Sequence, residues 1–143
     1  MADLMSTFAL SPVQAAAIVG NLGTESRNFT AYHEGDQAEN KGGYGWVQWT
    51  GPRRVAFFAW ADAQGLARDS AAASLGYLEF ELQTSYQSAI TVLKRQTKLS
   101  SATHQFMTHY ERPGTPHEQD RQTHAVIALD AYNRAQSAQG AGH

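Results

Sequence analysis

The sequence contains no cysteine among its 143 residues. This absence excludes disulfide bonds, thiolate metal sites and a cysteine nucleophile. An excess of one charge is also missing, because the formal net charge is only −2. A near-neutral chain offers no broad basic field for phosphates, so we expect no nucleic acid partner.

Long apolar runs are absent as well. No segment approaches the roughly 20 apolar residues that a membrane-spanning helix requires. Residues 1–10 lack the basic start and apolar core of a secretory signal. We therefore expect neither a membrane span nor a signal peptide.

What the sequence does contain fits a globular protein, with 42% hydrophobic and 17% charged residues. A chain of this length is long enough to bury one core. We predict one domain over residues 1–143, with its core at about 11–136. The small and polar residues 137–143 are expected to fray.

The first predicted helix begins at Ser11-Pro12-Val13-Gln14, a capping box with proline at the first helical position. It should end at about Glu25. Gly20 and Gly23 each cost a helix about 1 kcal/mol relative to alanine. Their presence predicts that another backbone packs closely against this part of the helix, unless they only loosen its end.

The remaining patterns are also mostly helical. Apolar spacing and capping residues predict further helices that begin at residues 50–52, at Asp69 or Ser70, before Ile90, around Ser100 or Ser101, and at a second capping box, residues 115–118. The last of these helices should run to about Gln136. The aromatic residues 44–49 form a short strand or an extended turn, in which Tyr44, Trp46 and Gln48 share one face. The sequence thus predicts a mainly α fold of six or seven helices, with a small β-hairpin or extended element beside the first helix.

Glu25 is the candidate catalytic residue, because it follows a helix that carries no other charge from Ser11 onward. Burial among apolar side chains disfavours the charged form of a carboxyl group, and some glycosidases keep one carboxyl protonated near neutral pH in this way. The alternative is a glutamate exposed on the last turn of the helix.

Four segments in order resemble the phage tail lysozyme family. They are the run QAAAIVGNL at residues 14–22, Glu25-Ser26, the glycine- and aromatic-rich residues 42–54, and YERP at residues 110–113. The resemblance covers nearly the whole chain. It implies a lysozyme-like fold and a muramidase, a glycoside hydrolase that cleaves the β-1,4 bond between N-acetylmuramic acid and N-acetylglucosamine in peptidoglycan. Glu25 would be the general acid, and we expect no metal ion or other cofactor.

A second carboxylate is expected from the polar loop that follows Glu25. Glycosidases commonly pair two carboxyl groups, at about 5–5.5 Å for direct attack on the sugar or about 6.5–9.5 Å for activation of water. Glu34, Asp36 and Glu39 are available. Glu34 and Asp36 are favoured because they precede the glycine pair that should turn the chain back, although each is also compatible with an exposed loop charge.

Four residues are candidates for binding sugar: Tyr44, Gln48, Trp49 and Tyr110. Aromatic faces pack on the apolar sides of pyranose rings, and an amide bonds hydroxyl and acetamide groups. By resemblance, the glycine-rich segment forms a wall of the cleft and Tyr110 reaches its floor. Glu111 and Arg112 are expected to form structural or surface pairs.

Three other functions compete with hydrolysis. A lytic transglycosylase would use the same glutamate but close an anhydro ring instead of adding water. A metal-dependent wall peptidase would need the histidines between residues 104 and 124, but His104 and His109 are five apart and no HExxH motif is present. A glycan-binding module would retain the fold without the chemistry.

The expected location is a phage tail, with other tail components or wall-binding modules as partners, or the host cytoplasm, with release through a holin. In either case the protein would act at the bacterial cell wall.

Overall fold

The computed structural model describes residues 1–26, 43–112 and 116–141. Within these ranges the chain is mainly α, as predicted. The described residues form seven α-helices: α1 Ala2–Phe8, α2 Pro12–Glu25, α3 Gly51–Ala63, α4 Ala71–Gln83, α5 Gln87–Leu93, α6 Leu99–Phe106 and α7 Glu118–Ala141. A π-helical segment, Met107–Glu111, directly continues α6.

Helix α2 is the central element, and it begins and ends where the sequence predicts. The Ser11 hydroxyl accepts a hydrogen bond from the backbone N–H of Gln14 (3.2 Å), and the Gln14 side chain accepts one from the N–H of Ser11 (3.0 Å). This is the predicted capping box. The helix interior, including Ile18 and Leu22, is buried in the main core. Burial of each such side chain contributes about 1.5–3 kcal/mol.

The two glycines of α2 lie against α7, which confirms the predicted close approach. A Cβ atom on Gly20 would lie 2.6 Å from the Cβ and 2.7 Å from the Cα of Ala125. A Cβ atom on Gly23 would lie 3.3 Å from the His124 ring. The absence of side chains at both positions therefore lets the two helices approach closely.

Helix α1 was not predicted. It buries Leu4 and Phe8 in the core and ends at Phe8, and the next residue, Ala9, has a left-handed φ of 56°. No single described helix has both the length and the apolar character needed to cross a membrane; α1 and α2 reach them only as a pair, bent by 120°.

Both predicted limits of the last helix are wrong. Pro116 and His117 precede α7, and His117 has a φ of 48°, so the helix begins only at Glu118. Thr115, the expected cap, lies outside the described residues. At the other end α7 continues to Ala141, so residues 137–141 are helical rather than frayed.

The extended element between α2 and α3 is a tight turn. Tyr44 and Trp49 form one antiparallel bridge, with N–O distances of 3.0 and 2.9 Å. Residues 45–48 turn between them, with positive φ at Gly45 (75°) and Gln48 (61°). The Trp49 ring packs on Phe57 of α3 and Tyr77 of α4, at centroid distances of 4.5 and 5.0 Å.

Candidate active site

Glu25 is the last residue of α2, and its carboxylate is held by an arginine of α7. The Arg121 Nη2 donates a hydrogen bond to Glu25 Oε1. The Arg121 side chain is only 1% exposed, whereas the Glu25 side chain is 20% exposed. The acidic group thus combines a fixed position with partial access to solvent.

The other two nitrogens of Arg121 are also bonded. Its Nη1 donates to Asn21 Oδ1 (3.0 Å), and its Nε donates to the backbone carbonyl of Pro116 (2.6 Å). Asn21, fully buried, donates in turn to the carbonyls of Ala17 (2.9 Å) and Thr103 (3.2 Å). This network, Asn21–Arg121–Glu25, connects α2, α6 and α7 beneath the carboxylate.

The surroundings of Glu25 differ from the apolar setting that the sequence indicates. A guanidinium in contact with a carboxylate stabilises its negative charge, which opposes the effect of apolar burial. Sequence reasoning missed Arg121 because it is 96 residues away from Glu25 along the chain. No local pattern pairs the two residues.

Glu111 is a second carboxyl group with unusual surroundings, at the end of the π-helical segment. Its Oε1 is buried and has no hydrogen-bond partner among the described residues. Burial, followed by the negative charge of Glu25, raises the pKa of Glu111 well above its ordinary value, although Arg121 and Arg53 act in the opposite direction. The expectation of a structural or surface ion pair at Glu111 is therefore wrong.

A compact polar cluster surrounds Glu81 of α4, which is 3% exposed. Its Oε1 accepts hydrogen bonds from Trp49 Nε1 (2.8 Å), the Tyr110 hydroxyl (2.6 Å) and Arg53 Nη2 (2.6 Å). Its Oε2 accepts one from Arg53 Nε (2.9 Å). We call this group the Glu81 cluster, and it joins α3, α4, the π-helical segment and the turn at residues 44–49.

Trp49 and Tyr110, two of the predicted sugar-binding residues, belong to this cluster. They are 1% and 0% exposed, so neither ring presents a face to a ligand in this structure. The aromatic signal reflects core packing and hydrogen bonding to Glu81 instead. For these two residues the structure corrects the prediction of a cleft wall and floor.

Tyr44 and Gln48, the other two candidates, are half-buried. Exposure alternates along the turn as predicted, because Gly45, Val47 and Trp49 are buried while Tyr44, Trp46 and Gln48 are partly exposed. The Gln48 Nε2 donates to the carbonyl of Gly45 (2.8 Å), so the amide folds back over its own turn. Burial and then the charge of Asp69 raise the pKa of Tyr44, although Arg68 and Arg54 lower it.

The histidines do not form a metal site in the part of the chain that the structure describes, where no three histidine or acidic side chains converge. His104 pairs with Glu118. The His124 Nδ1 lies 2.8 Å from the Thr24 hydroxyl, next to Glu25. Glu34 and Asp36, the predicted second carboxylates, lie outside the described residues.

Two comparisons with known proteins bear on this arrangement. The chain is similar to Morphogenesis protein 1 of Bacillus phage B103, with 30% identity over 116 residues. The similar region covers 76% of this chain but only 31% of that protein. The family model for phage tail lysozyme matches residues 1–132, which include α2, the Glu81 cluster and Arg121. The chain therefore belongs to the phage tail lysozyme family.

Proposed function

We propose that this protein is a muramidase that cleaves the β-1,4 bond between N-acetylmuramic acid and N-acetylglucosamine in peptidoglycan, with Glu25 as general acid. Family membership supports a lysozyme-like phage protein with glycosidase-like activity. The muramidase reaction and the role of Glu25 are the further steps that we infer.

The observation that carries the proposal is the state of the Glu25 side chain. A general acid needs a fixed position and contact with its substrate. A buried arginine holds one oxygen of Glu25 while 20% of the side chain stays exposed, which supports this role. By contrast, Glu81 has a 4% exposed side chain and accepts several hydrogen bonds, so it is poorly placed to meet a sugar.

For the second carboxylate we propose Glu34 or Asp36, from the loop that follows Glu25. One of them would attack the sugar or activate water on the face opposite the acid. Glu34→Ala and Asp36→Ala should be measured separately, and we expect one of them to lose most of the activity. Full activity in both would leave Glu25 as the single required carboxyl.

Tyr44 and Gln48 remain the proposed contacts for sugar, since both lie on the accessible side of the turn. Partial exposure allows the Tyr44 ring to pack on a pyranose, and the Gln48 amide has hydrogen-bonding groups that suit an acetamide. We expect Tyr44→Ala and Gln48→Ala to weaken binding of wall fragments without unfolding the protein. The proposed partners beyond peptidoglycan are phage tail components or wall-binding modules, with a holin as the alternative route to the wall.

The decisive experiment is digestion of purified peptidoglycan by the wild type and by Glu25→Gln. General acid catalysis contributes about 10²–10⁴-fold, so we expect the variant to retain about 1% of the rate or less. Glu118→Gln is the matched control, because Glu118 is an exposed glutamate that pairs with His104, and it should retain full activity. A Glu25→Gln rate above a few per cent would refute the proposal.

A lytic transglycosylase is the second candidate function. That reaction needs one carboxyl group. Glu111, the other carboxyl group whose charge acts on Glu25 among the described residues, has its Oε1 buried. Mass spectrometry of the digest separates the two reactions, since hydrolysis adds water and ring closure does not. Binding to wall fragments without release of any product would instead indicate a non-catalytic module.

A further inference from the structure

The two glutamate–arginine pairs beneath the site are arranged in opposite ways. In the Glu81 cluster the carboxylate is buried (4% exposed) and Arg53 reaches solvent (29%). At the end of α2 the arginine is buried (1%) and the carboxylate of Glu25 is open (20%). The buried Arg121 therefore holds the carboxylate of Glu25 from the inner side, and the outer side of the carboxylate stays accessible to a ligand.

We propose that Arg121 is a positioning residue for the reaction: it fixes the orientation of the Glu25 carboxyl before substrate binds. This inference rests on the proposed function of Glu25. It adds a residue that the motifs of the sequence did not indicate.

The hydrogen bonds of Arg121 support a positioning role. A guanidinium is a planar fork with fixed donor directions, so three bonds to three different groups leave it little freedom. Asn21 is itself fixed, because its Nδ2 donates to two backbone carbonyls and leaves Oδ1 to accept from Arg121. Ala125, one turn after Arg121, lies against Gly20, which holds this part of α7 on α2.

The other groups around Glu25 do not hold its carboxylate. His124 of α7 lies 2.8 Å from the Thr24 hydroxyl beside Glu25, and the Oε1 of Glu111 is buried without a hydrogen-bond partner among the described residues. Arg53 pairs with Glu81 instead. In the part of the chain that the structure describes, the ion pair of Glu25 is therefore with Arg121.

Arg121→Met removes the hydrogen bond that holds the Glu25 carboxylate. Its kcat should fall at least tenfold with little change in KM, because the carboxyl is no longer oriented. Arg121→Lys retains a cation that can bond the carboxylate, so this conservative variant should show a smaller loss of kcat.

The test measures kcat and KM for release of soluble fragments from peptidoglycan, together with the thermal midpoint of each variant. Arg53→Lys is the matched control, since it weakens the other arginine–glutamate pair and should lower the midpoint without lowering kcat. A wild-type kcat in folded Arg121→Met, or an equal loss of kcat in Arg53→Lys, would overturn the inference.

A second variant covers the case in which Arg121→Met does not fold. Asn21→Ala removes the acceptor of Arg121 Nη1 but keeps both charges of the ion pair. It should lower kcat with little change in KM, and unchanged kcat in a folded Asn21→Ala would contradict the positioning role. The Glu25→Gln variant in the same assay separates this proposal from that of Glu25 as general acid. If Glu25→Gln is active, both proposals are overturned. If Glu25→Gln is inactive but the Arg121 and Asn21 variants keep the kcat of the wild type, only the positioning role of Arg121 is overturned.

Discussion

Gly20→Ala tests whether the contact between α2 and α7 is as close as the structure shows. In an isolated helix this substitution is favourable by about 1 kcal/mol, because alanine has the higher helix propensity. Here the new Cβ would lie 2.6 Å from the Cβ of Ala125 and 2.7 Å from its backbone nitrogen and Cα. These atoms belong to the backbone and the root of a side chain, so no rotamer change relieves the overlap.

The change in stability is the difference between the gain in helix propensity and the cost of the overlap with Ala125. The shortest ordinary carbon contact is 3.4 Å, so the helices must separate by several tenths of an ångström. Overpacking of a well-packed core costs about 1–3 kcal/mol, and a backbone displacement belongs at the upper end. After the gain in helix propensity, we expect a net loss of about 2 kcal/mol. For a chain of this size that loss lowers the thermal midpoint by roughly 6–8 °C.

The assay is thermal or urea unfolding of Gly20→Ala beside Gly23→Ala. Gly23 is the matched control in the same helix, because its Cβ would meet the His124 side chain at 3.3 Å and beyond, a contact that is tight by only about a tenth of an ångström. We expect Gly23→Ala to change stability by less than about 1 kcal/mol. Equal stability of the two variants, or a stabilised Gly20→Ala, would refute the close approach of α7.

Three further predictions concern buried or shared carboxyl groups. Glu81→Leu leaves Arg53 without its buried partner and should cost about 3–5 kcal/mol in urea unfolding; a loss below 1 kcal/mol would contradict the role of the Glu81 cluster. Burial and then a hydrogen bond to Asp3 raise the pKa of Glu79 to about 7. The folded state therefore holds this proton more tightly than the unfolded state, and its stabilisation is complete below about pH 4.5 and lost as the pH rises through 7. We expect this decline in the free energy of unfolding to be under about 1 kcal/mol, because the group is partly exposed, and Glu79→Gln should remove it. The same difference in melting temperature between wild type and variant at pH 5 and at pH 8 would argue against this prediction. The pKa of Glu111 is raised in the same direction, so this group should also make the wild type less stable as the pH rises. The free energy of unfolding should fall by up to about 1.4 kcal/mol per pH unit. Glu111→Gln should therefore gain stability relative to the wild type as the pH increases.

The features predicted correctly are those that local chemistry determines. The capping box of Ser11 and Gln14 needs four consecutive residues, and it forms with both expected hydrogen bonds. Ser70 caps α4 by the same local rule. Gly20 was informative because a residue that weakens its own helix needs a reason outside the helix, and the structure supplies it in α7. The mainly α fold follows from patterns of this kind.

The features that were missed depend on residues far apart in sequence. Trp49 and Tyr110 looked like sugar-binding aromatics because sequence alone does not distinguish a ring in a cleft from a ring in a core. Their burial is explained by Glu81, which lies 32 residues from one and 29 from the other. The start of α7 was misplaced for a different reason: His117 adopts a positive φ, which few residues other than glycine do, so the residue type gave no warning.

The position of Glu25 shows why local sequence could not identify its partner. Glu25 is the last residue of α2, and the hydrogen bond that holds its carboxylate comes from a different helix. In this protein α7 provides that support one turn before the contact between Ala125 and Gly20, so the same interface that closes the core also carries Arg121. The packing of Gly20 on α7 and the hydrogen bond from Arg121 to Glu25 therefore both depend on the distance between α2 and α7. Any change that widens this interface should weaken stability and loosen the proposed acid together.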